Sequence, residues 1–182
     1  MNATEPAVDY EQLQKLLATA KNDKELFQRI VDTPFEQRLQ TAFMFLGIIV
    51  LLLVNKKSGT IDRIALSNTD FAKNTTLVSV VPFEKIKIPV ETRGNIIALA
   101  IKSGEQQDTT DWRFLFNPVL TAQQARINQA SAGIAYSAVY PLKARDGGAM
   151  IFSYYQYEQG IGRDQMQFMN RYSKMVERHL KG

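Results

Sequence analysis

Two kinds of hydrophobic spacing alternate along the chain, and each predicts a different element. Near the start, Leu13, Leu16, Leu17 and Ala20 recur at three- and four-residue steps, the spacing that lines one face of a helix. After a break at Asn22-Asp23, the pairs Leu26/Ile30 and Phe27/Val31 repeat four residues apart. Thr33-Pro34-Phe35-Glu36 comes next. A threonine cap, proline at the first helical position and glutamate three residues past the cap predict a fresh helix start. That helix is expected to bury Phe35, Leu39, Ala42, Phe43 and Leu46 and to stop near Gly47.

The period then changes. Ile48 to Val54 is unbroken apolar sequence rich in β-branched residues, as a strand covered on both faces should be. Asn55 to Gly59 reads as a turn and Thr60 to Leu66 as a second strand. Thr69-Asp70 starts a helical turn in a polar stretch, and Phe83 to Val90 is extended and limited by Pro89. Asn95 caps a helix that Gly104 closes. Gln106 to Thr110 reads as a polar loop leading to Asp111-Trp112-Arg113 and a short segment to Phe116. Thr121 and Gln124 form a capping box for a polar helix ending before Gly133. Between Ile134 and Tyr157, two β-branched and aromatic runs flank Asp146-Gly147-Gly148, a hairpin signal. Met166, Met169, Tyr172, Val176 and Leu180 then stripe a final helix from about Asp164.

Hairpins with helices gathered at the chain ends predict an α+β fold: one central antiparallel sheet of about five or six strands. The N- and C-terminal amphipathic helices are expected on one face of it. Residues 1–32 form a helical extension and 33–182 the body of what is one structural domain.

Composition removes several classes of chemistry. The chain has no cysteine and a single histidine, His179, so disulfides, thiolate metal sites and cysteine nucleophiles are excluded. No metal site and no cofactor are expected. Lysines and arginines number 22 against 18 acidic residues and are scattered, unlike the clustered basic surface that nucleic acid requires. Ala42 to Val54 is the most apolar run and is shorter than the roughly 20 residues of a membrane span. Met1 to Tyr10 is polar and acidic, without the pattern of a secretory leader. The expectation is a cytoplasmic protein with no nucleic acid or membrane partner.

Three pieces in order carry a resemblance to a known family: the hairpin Ile48–Val54 and Thr60–Leu66; Ile88-Pro89-Val90 followed by Gly94 to Gly104; and Ser137 to Leu142, with its Pro141-Leu142, followed by Gly148 and Met150 to Tyr154. This set resembles the GAF domain; the PAS family is the nearest rival. The resemblance implies a small-molecule pocket between one sheet face and the segment from about Phe71 to Ser131, and pairing of the terminal helices across a twofold axis. It also implies a sensory or regulatory module that is not an enzyme, because the family's covalent bilin sites and its methionine sulfoxide reductases use cysteines.

Candidate ligand-binding residues are Asp111, Trp112, Arg113, Tyr136 and Tyr154. Trp112 stacks on a planar ligand while Asp111 or Arg113 bonds its polar edge, or Trp112 anchors a loop and Asp111 caps the following turn. The tyrosines either line the pocket or form cross-strand aromatic pairs. Leu13, Leu16, Leu17, Met169, Tyr172 and Val176 are the candidate homodimer contacts; the other reading has them covering the sheet within one chain. Noncovalent ligand binding coupled to helix-mediated dimerisation is therefore expected, with a ligand-free interaction scaffold as the alternative. No catalytic residue is assigned.

Overall fold

The computed structural model describes residues 8–37, 39, 44–157 and 160–181. Helices α1 (Tyr10–Ala18) and α2 (Asp23–Glu36) precede a hairpin of β1 (Leu46–Asn55) and β2 (Thr60–Leu66). Then follow α3 (Asp70–Val78), β3 (Lys87–Pro89), α4 (Ile96–Ser103), β4 (Gln107–Thr109), α5 (Arg113–Phe116) and α6 (Ala122–Ala132). A second hairpin, β5 (Tyr136–Leu142) and β6 (Gly148–Tyr154), leads into α7 (Arg163–Leu180). The strands form one sheet in the order β3-β2-β1-β6-β5-β4, with every neighbour antiparallel.

Alternation along the strands divides the core into two layers. Ile49 and Leu51 of β1 and Phe152 and Tyr154 of β6 face a first cluster, completed by Leu13 and Leu17 of α1, Ile30 and Val31 of α2, and Phe168, Met169, Tyr172 and Val176 of α7. Ile48, Val50 and Leu52 of β1 and Ile151 of β6 face a second cluster with Ala72 of α3, Ile97 of α4, Leu115 and Phe116 of α5 and Ala125 of α6. The terminal helices thus cover one face, as expected, and α3 to α6 cover the other. β1 is continuously apolar because it separates the two layers. Gly148 is required where β6 meets β1: a Cβ there would stand 2.5 Å from the Leu52 carbonyl oxygen.

A bulge in the first hairpin aims the side chains of β2. Leu51 pairs with Ala65 but Leu52 pairs with Arg63, leaving Ile64 as the extra residue. Ala65 therefore joins the first cluster while Ile61 joins the second, and Arg63 lines a cavity on that second side. Bulges commonly re-aim side chains in this way.

The expected caps are present at Asn95, Gly104, Thr121 and Gly133, but the expected helix start at Thr33 is not. Pro34 lies inside α2, in its last turn, and Leu46 opens β1. Ala42 and Phe43 fall outside the described residues. Proline has no N–H, so the Ile30 carbonyl one turn back loses its helical donor. The Tyr172 hydroxyl of α7 replaces it, donating to Ile30 O at 2.7 Å, and the helix continues. Gln107–Thr109, expected as loop, is an edge strand held by its backbone pairing to Ser137–Val139 of β5. The run from Phe83 divides into a single 3-10 turn, Phe83–Lys85, and the short β3.

Candidate functional site

The second sheet face and the helices over it border a cavity of about 40 Å³, on a scale where one water needs roughly 10–15 Å³. Its floor is Ile48, Val50, Ile151 and Ser153 of the sheet. Its walls include Thr75 and Thr76 of α3, Ser79 and Val81 after it, Phe83 and Ile86, Trp112 with Leu115 and Phe116, and Asn128 of α6. These walls come from the segment, about Phe71 to Ser131, that the GAF resemblance implies as one side of a pocket.

Arg63 is the one charged residue in that lining. It is 8% exposed, and its Nε and Nη2 are buried without a hydrogen-bond partner among the described residues. Its Cζ lies 4.4 Å from the centre of the Phe116 ring and 5.8 Å from that of Phe83, a cation–π sandwich edge. Burial lowers its pKa to about 10, so the group is still a cation at neutral pH. A guanidinium held in apolar surroundings without an anion is expensive. Sequence reasoning missed it, although a charge at the same parity as Ile61 in an apolar strand is the signal that marks it.

Trp112 is buried, with its backbone N–H donating to Gln129 Oε1 at 2.9 Å and its indole Nε1–H donating to Ser137 Oγ at 2.9 Å. Ser137 in turn shares a 2.7 Å hydrogen bond with Ser153 Oγ. Trp112 therefore anchors its loop to β5, and it also lines the cavity.

Its neighbours point elsewhere. Asp111 Oδ1 accepts the Arg113 backbone N–H at 3.0 Å, and Oδ2 pairs with Arg113 Nε and Arg126 Nη2, each at 3.1 Å. Burial raises the Asp111 pKa, but the Arg113 N–H and the two guanidinium groups outweigh it and hold the carboxyl below its ordinary value. Arg113 is half-exposed and lies over Phe114. Neither Asp111 nor Arg113 lines the cavity.

Tyr136 and Tyr154 are not brought together with Trp112. They are direct cross-strand partners and belong to the first cluster, across the sheet from the cavity. Their rings lie 6.2 Å apart, and Tyr136 stacks on Tyr157 at 4.6 Å. Burial, then the nearby Asp108 carboxylate, raises the Tyr136 pKa, and burial raises that of Tyr154. The candidate dimer contacts are likewise spoken for. Leu13, Leu17, Met169, Tyr172 and Val176 are buried in the chain's own first cluster, and Leu16 is half-buried. A single sheet does cover both amphipathic stripes, because α1, α2 and α7 share its first face.

No family model matches the sequence, and no curated protein matches it. Solved structures do. The GAF domain of an Acinetobacter phosphoenolpyruvate-protein phosphotransferase is similar at a TM-score of 0.61 and 9% identity, over 93% of this chain and 89% of that one. Residues 122 to 287 of a methyl-accepting chemotaxis protein are similar at 0.60 and 10% identity, over 92% and 94%. A free methionine-R-sulfoxide reductase from Neisseria meningitidis, solved with its substrate, is similar at 0.59 and 13% identity, over 94% and 85%. At these identities the likeness establishes the fold, and the fold is GAF-like. It also corrects one expectation. The same architecture serves a reductase, so a GAF-like fold does not by itself set this chain apart from enzymes. Among the described residues, no helix is long and apolar enough to cross a membrane.

Proposed function

We propose that this GAF-like chain is a regulatory module that binds a small molecule noncovalently in the cavity between the sheet and α3, α5 and α6. One observation carries the reading: the cavity holds a buried guanidinium whose Nε and Nη2 have no protein partner among the described residues. Concave, mostly apolar sites with a few placed polar groups are the usual form of ligand pockets. A ligand-free scaffold leaves that cation without a use.

A route for the signal is supported by the strands themselves. Ser153 lines the cavity and is bonded to Ser137, which accepts the Trp112 indole N–H. The adjacent residues, Tyr136 and Tyr154, project into the cluster under the terminal helices. A ligand that moves Trp112 therefore acts on β5 and β6, whose opposite faces support α1 and α7. Regulation further requires different ligand affinities for two arrangements of that packing.

The test is a small-molecule extract of the source cells, fractionated and titrated into the 15N-labelled chain, with the Trp112 indole N–H as the reporter. There is one tryptophan, so its indole signal needs no further assignment. At least one fraction is expected to shift it. An indole signal that no fraction moves overturns the reading.

A further inference from the structure

We infer that the ligand of this cavity is a small monocarboxylate with an apolar body, bound side-on by the Nε–H and Nη2–H edge of Arg63. The inference rests on the proposal that the cavity is a ligand site, and it names the chemistry of that ligand.

The geometry of the unpartnered atoms makes the argument. Nε and Nη2 of Arg63 are both buried without partners among the described residues, and they share one edge of the guanidinium plane. Their N–H bonds run nearly parallel, at the spacing of the two oxygens of a carboxylate. Phe116 lies over the guanidinium, 4.4 Å from Cζ to the ring centre. A partner therefore approaches along the edge rather than onto the covered face. Among the described residues no such partner is supplied, and no aspartate or glutamate lines the cavity.

Charge balance narrows the class. Arg63 contributes a single positive charge and, among the described residues, is the one charged residue of the lining. A monoanion neutralises it. A phosphate dianion leaves a net negative charge among Ile48, Val50, Phe83 and Ile151, where an uncompensated ion is costly. The same apolar side chains favour a hydrocarbon body behind the carboxylate, and the cavity's about 40 Å³ favours a small one.

The test uses isobutyrate, its uncharged near-isostere isobutyramide, and inorganic phosphate at matched ionic strength. Each is titrated calorimetrically into the full chain and its Arg63→Lys and Arg63→Met variants, with the Trp112 indole N–H followed in parallel. Isobutyrate is expected to bind the unaltered chain and move the indole signal. Isobutyramide is expected to bind roughly 10- to 100-fold more weakly, the range of a lost charge-assisted hydrogen bond. Arg63→Met is expected to lose isobutyrate binding by a similar factor. Arg63→Lys keeps the charge but not the fork, and is expected to weaken binding at least about tenfold; it decides the matter should the Met variant fail to fold. Isobutyramide binding as well as isobutyrate, or phosphate binding better, overturns the carboxylate assignment while leaving the cavity a ligand site. An indole signal unmoved by all three compounds overturns the assignment too, and the extract titration then decides the fate of the cavity itself.

Discussion

Replacing Arg63 by methionine in the ligand-free chain is expected to stabilise it, an unusual direction for a core substitution. The magnitude follows from three quantities. Burial lowers the Arg63 pKa from the ordinary arginine range to about 10, which at 1.36 kcal/mol per pKa unit is about 3 kcal/mol of lost solvation of the charged form. Stacking on Phe116, with Cζ at 4.4 Å, returns about 0.5–2 kcal/mol. Methionine keeps much of the aliphatic packing and has no hydrogen bonds to leave unmade. The balance is a gain of about 1–2 kcal/mol, or a midpoint rise of roughly 0.5–1 M for a urea slope near 2 kcal/mol/M. The assay is equilibrium urea unfolding of both chains at pH 7, with the slope unchanged. The pH dependence has a defined sign. Below about pH 10 the folded and unfolded states are both protonated and the penalty is fully present. Above about pH 10 the folded state releases its proton before the unfolded state does, so this group adds stability as pH rises. A methionine variant that is less stable than the parent by 1 kcal/mol or more (about fivefold in the unfolding equilibrium) refutes the reasoning, because the guanidinium must then be contributing favourable contacts.

Other consequences lie on the opposite face of the sheet. Tyr172→Phe removes the donor that serves the Ile30 carbonyl opposite Pro34; it should cost about 1–3 kcal/mol in urea unfolding, and a cost near zero counts against the pairing of α2 with α7. Tyr154 has a buried hydroxyl with no partner among the described residues, so Tyr154→Phe should be neutral or stabilising by up to about 1–2 kcal/mol, whereas a loss of that size means the hydroxyl is bonded. Burial is the first cause raising the pKa of Tyr136, Tyr154, Tyr172 and Tyr140, the last to about 12. Unfolded tyrosines ionise near 10, so the stability these groups contribute is complete below that pH and falls as pH rises above it. They outnumber Arg63, which works the other way, so the chain should lose stability between pH 9 and 11, and Tyr154→Phe should lessen the loss by up to about 1.4 kcal/mol per pH unit. A flat profile contradicts the assignment of these rings to the dry core.

Much of the fold was legible because local signals there agree with the tertiary structure. The apolar run of β1 announces a strand between two layers, and Asn95, Gly104, Thr121 and Gly133 mark helix ends that the structure keeps. Pro34 misled because a cap-proline-glutamate pattern is local, whereas the group that lets the helix pass through it, Tyr172, is supplied from α7. β4 was illegible because Gln107–Thr109 is specified by backbone pairing to β5 and not by an apolar face. At the site, Tyr136 and Tyr154 share one face of the sheet as direct cross-strand partners, and Tyr157 folds back onto Tyr136 on that same side. Periodicity names a shared face without saying which layer covers it, and that face proved to belong to the terminal helices. Trp112 drew attention as the one tryptophan and does line the cavity. Arg63 did not, since a lone arginine in a strand becomes conspicuous only once its burial and its unpaired edge are seen.

The central claim is that the Arg63 edge receives a carboxylate, and the Nε–H resonance of Arg63 reads that edge directly. It can be assigned as the arginine side-chain signal missing from the Arg63→Met spectrum, then followed at neutral pH while isobutyrate and, separately, isobutyramide are added to the unaltered chain. The account predicts a saturable shift of that resonance with isobutyrate, in step with the Trp112 indole N–H, and little response to the amide. An Nε–H signal that stays fixed while the indole moves, or that follows both compounds equally, contradicts it.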